Sequence, residues 1–278
     1  MKIELASSYG FCYGVKRAIE IAEKHQNSFT YGPLIHNKDE INRLKIGFNI
    51  GLVEKIEDID RDHTIVIRTH GIPKDELETL KKQENKIIDA TCPYVTTPQN
   101  IVAKMSSEGY SVVIFGDKEH PEIKGVVSYA EHQDHTFIVL TPEELEVLPL
   151  KNRVALVSQT TKKPEDFAKI VATLIKNHKE VRVFNTICNA TFENQDAAAA
   201  LAKRADVMIV IGGKHSSNTK MLHSISQNDC QNSYLIENET ELELSWFKNK
   251  NLCGISAGAS TPDWIVQNVI NKIQEITD

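Results

Sequence analysis

Three cysteines in one repeated setting constrain this chain more than any other feature. Cys12, Cys92 and Cys188 lie 80 and 96 residues apart, in the segments SSYGFCYGVKRAIEIAEKH, DATCPYVTTPQNIVAKM and NTICNATFENQDAAAALAKRA. Each closes a short polar turn and is followed at once by a helix-like run. One cysteine per repeat, in the same local setting, predicts three thiolates brought to one point by a threefold arrangement. Three thiolates leave one position of a tetrahedral or cubane metal site open, and an open position belongs to chemistry rather than to structural stapling.

The repeat extends beyond the cysteines. After each helix comes an apolar strand ending in glycine, in SFTYGPLIHN, SVVIFGDKEHPE and DVMIVIGGKHSSN, and the polar residue four positions on is His36, His120 or Ser216. A further strand, polar turn, proline and helix follow in HTIVIRTHGIPKDELETL, RVALVSQTTKKPEDFAKIV and LCGISAGASTPDWIVQNVI, where the turns carry His70, Thr160 and Ser260. Proline at a first helical turn and acidic residues near it (Asp75, Glu165, Asp263) mark helix starts. Alternating strands and helices predict an α/β fold: three small units with mostly parallel sheets, arranged with pseudo-threefold symmetry around a central cavity. Parallel sheets bind ligands at the carboxyl ends of their strands, and every polar loop here follows a strand. Cuts near residues 92 and 186 give units 1–92, 93–185 and 186–278, with residues 1–13 able to pack with the third.

A chain of 278 residues, 41% apolar and 25% charged, is ordinary for a soluble globular protein. Its formal charge of −6 disfavours a nucleic-acid partner, which needs a basic face. There is no run of about 18 apolar residues to cross a membrane and no signal-peptide core, so a cytoplasmic location without membrane contact is expected. Five widely spaced cysteines then favour metal ligation or catalysis over disulfides. Cys230 and Cys253, outside the repeat, read as small buried hydrophobes.

Among the ten histidines, His25, His63, His132, His135, His178 and His223 read as surface or satisfied core residues, and His215 is ambiguous. His36, His70 and His120 occupy strand-terminal loops, where imidazole N–H donors suit phosphate oxygens. The turn Gly212-Gly213 leading to Ser216, Ser217 and Asn218 offers further donors to a phosphate. Ser260 and Thr160 are equally readable as plain helix caps. Glu122 is the one carboxylate in a centre-facing loop. It is either a solvated neighbour of Lys124 or a proton source.

Taken together, FCYGVKRA, GPLIHN, DATCPYV, HPEIKG, SQTT, TICNAT, KHSSNT and SAGASTPD resemble the family of 4-hydroxy-3-methylbut-2-enyl diphosphate reductases over nearly the whole chain. The resemblance implies one 4Fe–4S cluster held by Cys12, Cys92 and Cys188 with one open iron. It also implies two-electron, two-proton reductive dehydroxylation of an allylic diphosphate, giving isopentenyl and dimethylallyl diphosphates as the last step of the methylerythritol phosphate route. By motif position, His36, His70, His120, Ser216, Ser217, Asn218 and Ser260 hold the diphosphate, Glu122 with His120 supplies protons, and Thr160 orients the hydroxyl. A ferredoxin- or flavodoxin-type donor and a monomer are expected. The chain departs from the family at Thr96-Thr97-Pro98, where a lysine and a histidine are usual, at Asn194-Gln195, where Arg-Gln is frequent, and at Arg68. Two other readings share the three-cysteine pattern: a dehydratase of quinolinate synthase type, and a non-catalytic iron–sulfur redox sensor.

Overall fold

The computed structural model describes residues 1–35 and 37–277, without the side chain of Ser217. The first elements are β1 (Lys2–Leu5), α1 (Tyr13–Lys24), β2 (Phe29–Tyr31), α2 (Lys38–Phe48), β3 (Gly51–Val53), β4 (Thr64–Ile67), α3 (Lys74–Lys82) and β5 (Lys86–Asp89). The middle of the chain forms α4 (Pro93–Ser107), β6 (Ser111–Phe115), α5 (Pro121–Ser128), β7 (Thr136–Val139), β8 (Arg153–Ser158), α6 (Pro164–Asn177) and β9 (Glu180–Val183). The remainder forms α7 (Ala190–Ala202), β10 (Val207–Ile211), α8 (Ser217–Asp229), β11 (Ser233–Ile236), β12 (Leu252–Ala257) and α9 (Asp263–Thr277). No helix among the described residues is long and apolar enough to cross a membrane.

These strands form three four-stranded, wholly parallel sheets, in the orders β3-β2-β4-β5, β7-β6-β8-β9 and β1-β12-β10-β11. The α/β class expected from the repeat is therefore what the chain adopts. Each sheet repeats one plan. Its central pair consists of the strand ending in the glycine loop (β2, β6, β10) and the strand ending in the polar turn (β4, β8, β12). The edge strand beside the latter (β5, β9, β1) leads through a turn to a cysteine. The third sheet takes that edge strand from the other end of the chain, with Lys2 opposite Leu252 and Leu5 opposite Ile255.

The central strands read as continuous apolar runs because helices cover both faces of a parallel sheet. All five residues of β6 and of β10 are buried, as are Val154–Ser158 of β8. Val207, Ile209, Ile211 and Ile255 pack with Ile265, Val266, Val269 and Ile273 of α9. Val112, Ile114, Ala155 and Val157 pack with Val102 and Met105 of α4 and with Ile123 and Val126 of α5. Cys230 and Cys253 lie in these interiors, as expected of small hydrophobes, and burial pushes the Cys253 thiol up to about 12.

The chain condenses into two compact units. One comprises residues 1–19, 35–48 and 189–278, the other residues 20–34 and 49–188. The second unit holds two of the sheets and the first unit holds the third.

Candidate active site

Each cysteine is placed by the same main-chain bond. The edge strand delivers it beside the polar turn of the neighbouring strand, and its amide N–H donates to a carbonyl of that turn. Cys12 donates to Ala259 at 3.3 Å, Cys92 to Thr69 at 3.0 Å and Cys188 to Thr160 at 2.8 Å. Ala259 and Thr69 immediately precede Ser260 and His70, so the motif found three times in the sequence is one local geometry built three times. These three cysteines are half-buried, whereas Cys230 and Cys253 are buried. Cys92 is the N-cap of α4, with Pro93 pre-set at its first position. Among the described residues, no three His, Cys, Asp or Glu side chains are already gathered as a metal-holding group. The donor chemistry fits an iron–sulfur cluster: three accessible thiols, each in a polar strand-end turn, in a chain whose other cysteines are core residues.

Cys92 and Cys188 belong to the second compact unit, and so does the most fully built cluster of polar side chains. His120 caps α5, its Nδ1 accepting the Glu122 N–H at 3.2 Å. A neutral imidazole bonded in this way carries its own proton on Nε2, the tautomer able to donate to an anion. The His70 ring meets the His120 ring edge-on at 5.8 Å between centroids. Glu122 is only 1% exposed. Its carboxylate accepts the Thr160 N–H at 2.8 Å and the Thr160 hydroxyl at 2.6 Å. Burial raises the Glu122 carboxyl above the ordinary carboxylate range, and the two Thr160 bonds pull it only part of the way back. The solvated alternative for Glu122 is not what forms, since Lys124 pairs with Glu119 at 3.0 Å instead. Nor does Thr160 cap a helix, because α6 begins after Lys163.

The first compact unit carries the other expected donors. Ser216 caps α8, its hydroxyl accepting the Thr219 N–H at 3.3 Å, so a helix N-terminus opens after the Gly212-Gly213 turn. Both the nitrogen and the oxygen of the Asn218 carboxamide are buried without a hydrogen-bond partner among the described residues. A buried amide with neither group satisfied is costly unless a ligand completes it. Ser260 sits in the turn before α9, where Pro262 rather than Ser260 accepts the first helical amides. His36 lies outside the described residues, as does the Ser217 side chain.

Several histidines set aside on sequence have structural partners. His25 contacts the Ile21 carbonyl, His178 that of Lys151 and His223 that of Ser233, while His63 stacks on Phe29. Arg68, one of the departures, lies over Gly32. That glycine has φ +73°, and a β-carbon there would stand 2.7 Å from the guanidinium. Burial lowers the Arg68 pKa, opposed by Glu76 and Tyr31. Gln99, buried beside Gly71, is a supporting residue that sequence reasoning passed over, its place in the Cys92 helix being its signal. Asn194, which sequence reasoning noted only as a departure, holds the turn before Cys12.

Comparison with known proteins follows the same lines. The family model described as LytB protein matches residues 3–274. A curated relative from Sulfurovum sp. (strain NBC37-1), named 4-hydroxy-3-methylbut-2-enyl diphosphate reductase, is 75% identical over 276 residues, covering 99% of this chain and 100% of the relative. One of the same name from Campylobacter concisus (strain 13826) is 62% identical over 276 residues. A solved structure of (E)-4-hydroxy-3-methyl-but-2-enyl diphosphate reductase, described as the terminal enzyme of the non-mevalonate pathway, superposes with a TM-score of 0.80 at 44% identity, covering 98% of this chain and 99% of that one. The corresponding Plasmodium falciparum reductase gives 0.83 at 29% identity, covering 97% and 86%.

Proposed function

Because the chain belongs to the LytB protein family, we propose that it reduces 4-hydroxy-3-methylbut-2-enyl diphosphate to isopentenyl and dimethylallyl diphosphates. The reaction breaks the allylic C–O bond and consumes two electrons and two protons. One proton leaves with the hydroxyl as water and the other ends on carbon. Electrons come from a ferredoxin- or flavodoxin-type carrier. In this reading residues 1–92, 93–185 and 186–278 are three units serving one site, and Cys12, Cys92 and Cys188 hold one 4Fe–4S cluster with an open iron. When bound, the cluster supplies the electrons and a Lewis-acidic iron.

The chain's own residues do the rest. His120, in the Nε2–H tautomer, and His70 beside it donate to the diphosphate, together with His36, Ser216, Ser217, Asn218 and Ser260. Burial disfavours the charged form of the Glu122 carboxyl and so favours its holding a proton. Thr160 fixes that carboxyl through two bonds and keeps its hydroxyl beside it, at the point where the substrate hydroxyl must receive a proton. The observation that carries this reading is the buried Glu122–Thr160 pair next to the His70–His120 pair. A redox sensor has no need of a buried carboxyl beside anion donors, and a dehydratase without a diphosphate has no use for the Ser216–Asn218 turn.

The test is anaerobic preparation of the holoprotein, with iron and sulfide analysis and assay of both C5 diphosphate products against a one-electron reductant. Iron-free protein, or holoprotein unable to consume the allylic diphosphate, overturns the reading.

A further inference from the structure

The three cysteine turns are not secured in the same way. The Cys92 turn is short, following β5 by three residues, and Asp89 ties it locally by accepting the Thr91 N–H at 2.9 Å. The Cys188 turn is tied by its own Asn185, which accepts the Ile187 N–H at 3.2 Å, and by Thr186, whose hydroxyl donates to the Ser158 carbonyl at 2.6 Å. The Cys12 turn is the longest, with seven residues from Leu5 to Cys12. Its side-chain tie comes from far along the chain. The Ser8 hydroxyl donates to Asn194 Oδ1 at 2.6 Å, and Asn194 Nδ2 reaches the Gly10 carbonyl at 3.5 Å. Gly10 itself turns in the left-handed region at φ +70°, and its N–H donates to Ala257 at 3.0 Å.

Asn194 is 3% exposed and stands on α7, the helix that follows Cys188. It is also one of the positions where the chain departs from the usual arginine. Asparagine suits the place because one short carboxamide offers the acceptor for Ser8 and the donor for Gly10 together. An arginine has no acceptor to give the Ser8 hydroxyl.

We propose that Asn194 is a positioning residue for the Cys12 thiol, locking the Ser8–Gly10 turn to α7. The inference rests on the reading of Cys12 as a cluster ligand. It assigns Asn194 and Ser8 the role that supporting partners play around metal ligands, where loss of one typically costs about 10- to 100-fold in metal retention.

The experiment uses Asn194→Ala, Ser8→Ala, their combination, and Ser8→Thr, which keeps the hydroxyl. Iron loss from anaerobic holoprotein to a chelator is timed, and alkylation of Cys12 and Cys92 in iron-free protein is followed peptide by peptide. Either alanine variant should lose iron about 10-fold faster than the parent. Each should show faster Cys12 alkylation with the Cys92 rate unchanged. The double variant should be no worse than Asn194→Ala alone, and Ser8→Thr should behave as the parent. Parental iron loss and parental Cys12 alkylation in both alanine variants overturn the proposal. Cys12→Ser serves as the reference. If it keeps its iron the ligand assignment fails, whereas the alkylation rates still decide whether Asn194 orders the turn. Should Asn194→Ala fail to fold, Ser8→Ala, which removes one hydroxyl from a half-buried position, decides alone.

Discussion

Thr160 gives both its main-chain N–H and its hydroxyl to the Glu122 carboxyl, at 2.8 and 2.6 Å, across 38 residues of sequence. Glu122 Oε1 takes the amide and Oε2 the hydroxyl, so the plane of the carboxyl is fixed and one hydroxyl stays within reach of its proton. Glu122→Gln preserves the shape and accepts the same amide, but has no acidic proton to give. Substrate affinity and iron content should stay near parental, and turnover should fall at least about 100-fold. Near-parental turnover with full iron content places the proton source elsewhere.

The same carboxyl makes the fold sensitive to pH in a defined direction. Burial raises its pKa in the folded state, so the folded protein holds a proton that the unfolded chain releases. That contribution is fully present below the ordinary glutamate pKa and is lost as pH rises through the raised value. Urea midpoints of the iron-free parent should therefore fall toward alkaline pH relative to Glu122→Gln, and the two curves should converge in acid. Parallel curves would mean that Glu122 folds in its charged form.

Cys12→Ser, Cys92→Ser and Cys188→Ser should each abolish or gut iron retention, because a serine hydroxyl does not replace a soft anionic thiolate. Cys230→Ala and Cys253→Ala should keep full iron content, since both side chains are buried in the core. Full iron content and activity in Cys92→Ser overturns the ligand set.

Asn218→Ala separates stability from function. The carboxamide is buried with neither group paired among the described residues, so its removal should leave the iron-free protein as stable as the parent or more so. Diphosphate affinity should weaken roughly 10- to 100-fold, the loss expected for one or two good hydrogen bonds. Calorimetry with the substrate and a urea melt of the same sample check both halves.

Gly32→Ala should destabilise the second unit by about 1–2 kcal/mol, since a left-handed φ of +73° is costly for alanine and the added carbon meets the Arg68 guanidinium. An unfolding midpoint equal to the parent's shows that the Gly32 turn relaxes freely.

Much of this was legible in the sequence because local signals repeat three times. Glycine after an apolar run, proline at a helix start and cysteine before a helix each depend on neighbours a few residues away, and each recurs at β2, β6 and β10 or their counterparts. The Glu122–Thr160 pair was only half visible. Periodicity sends both residues to strand ends, but nothing local says that an amide and a hydroxyl 38 residues away will meet one carboxyl. Ser260 and Thr160 could equally have been caps, and only the real helix starts at Asp263 and Pro164 decide otherwise. Asn194 was noticed as a departure and left unexplained, because its partners Ser8 and Gly10 lie 186 and 184 residues away. Contacts at such separations are fixed by which strands share a sheet, and short-range pattern does not carry that information.

The pairing of β1 with β12 has a consequence for how the protein folds. Lys2 to Leu5 lie against Leu252 to Ile255, 250 residues along the chain. Closing so large a loop is slow, and until it closes the segment bearing Cys12 has no edge to dock on. Cys92 and Cys188 follow strands whose partners lie nearby in sequence, whereas the Cys12 segment depends on β12. Removing β12 should therefore leave the Cys12 segment without the strand it pairs with, while the Cys92 and Cys188 turns keep theirs.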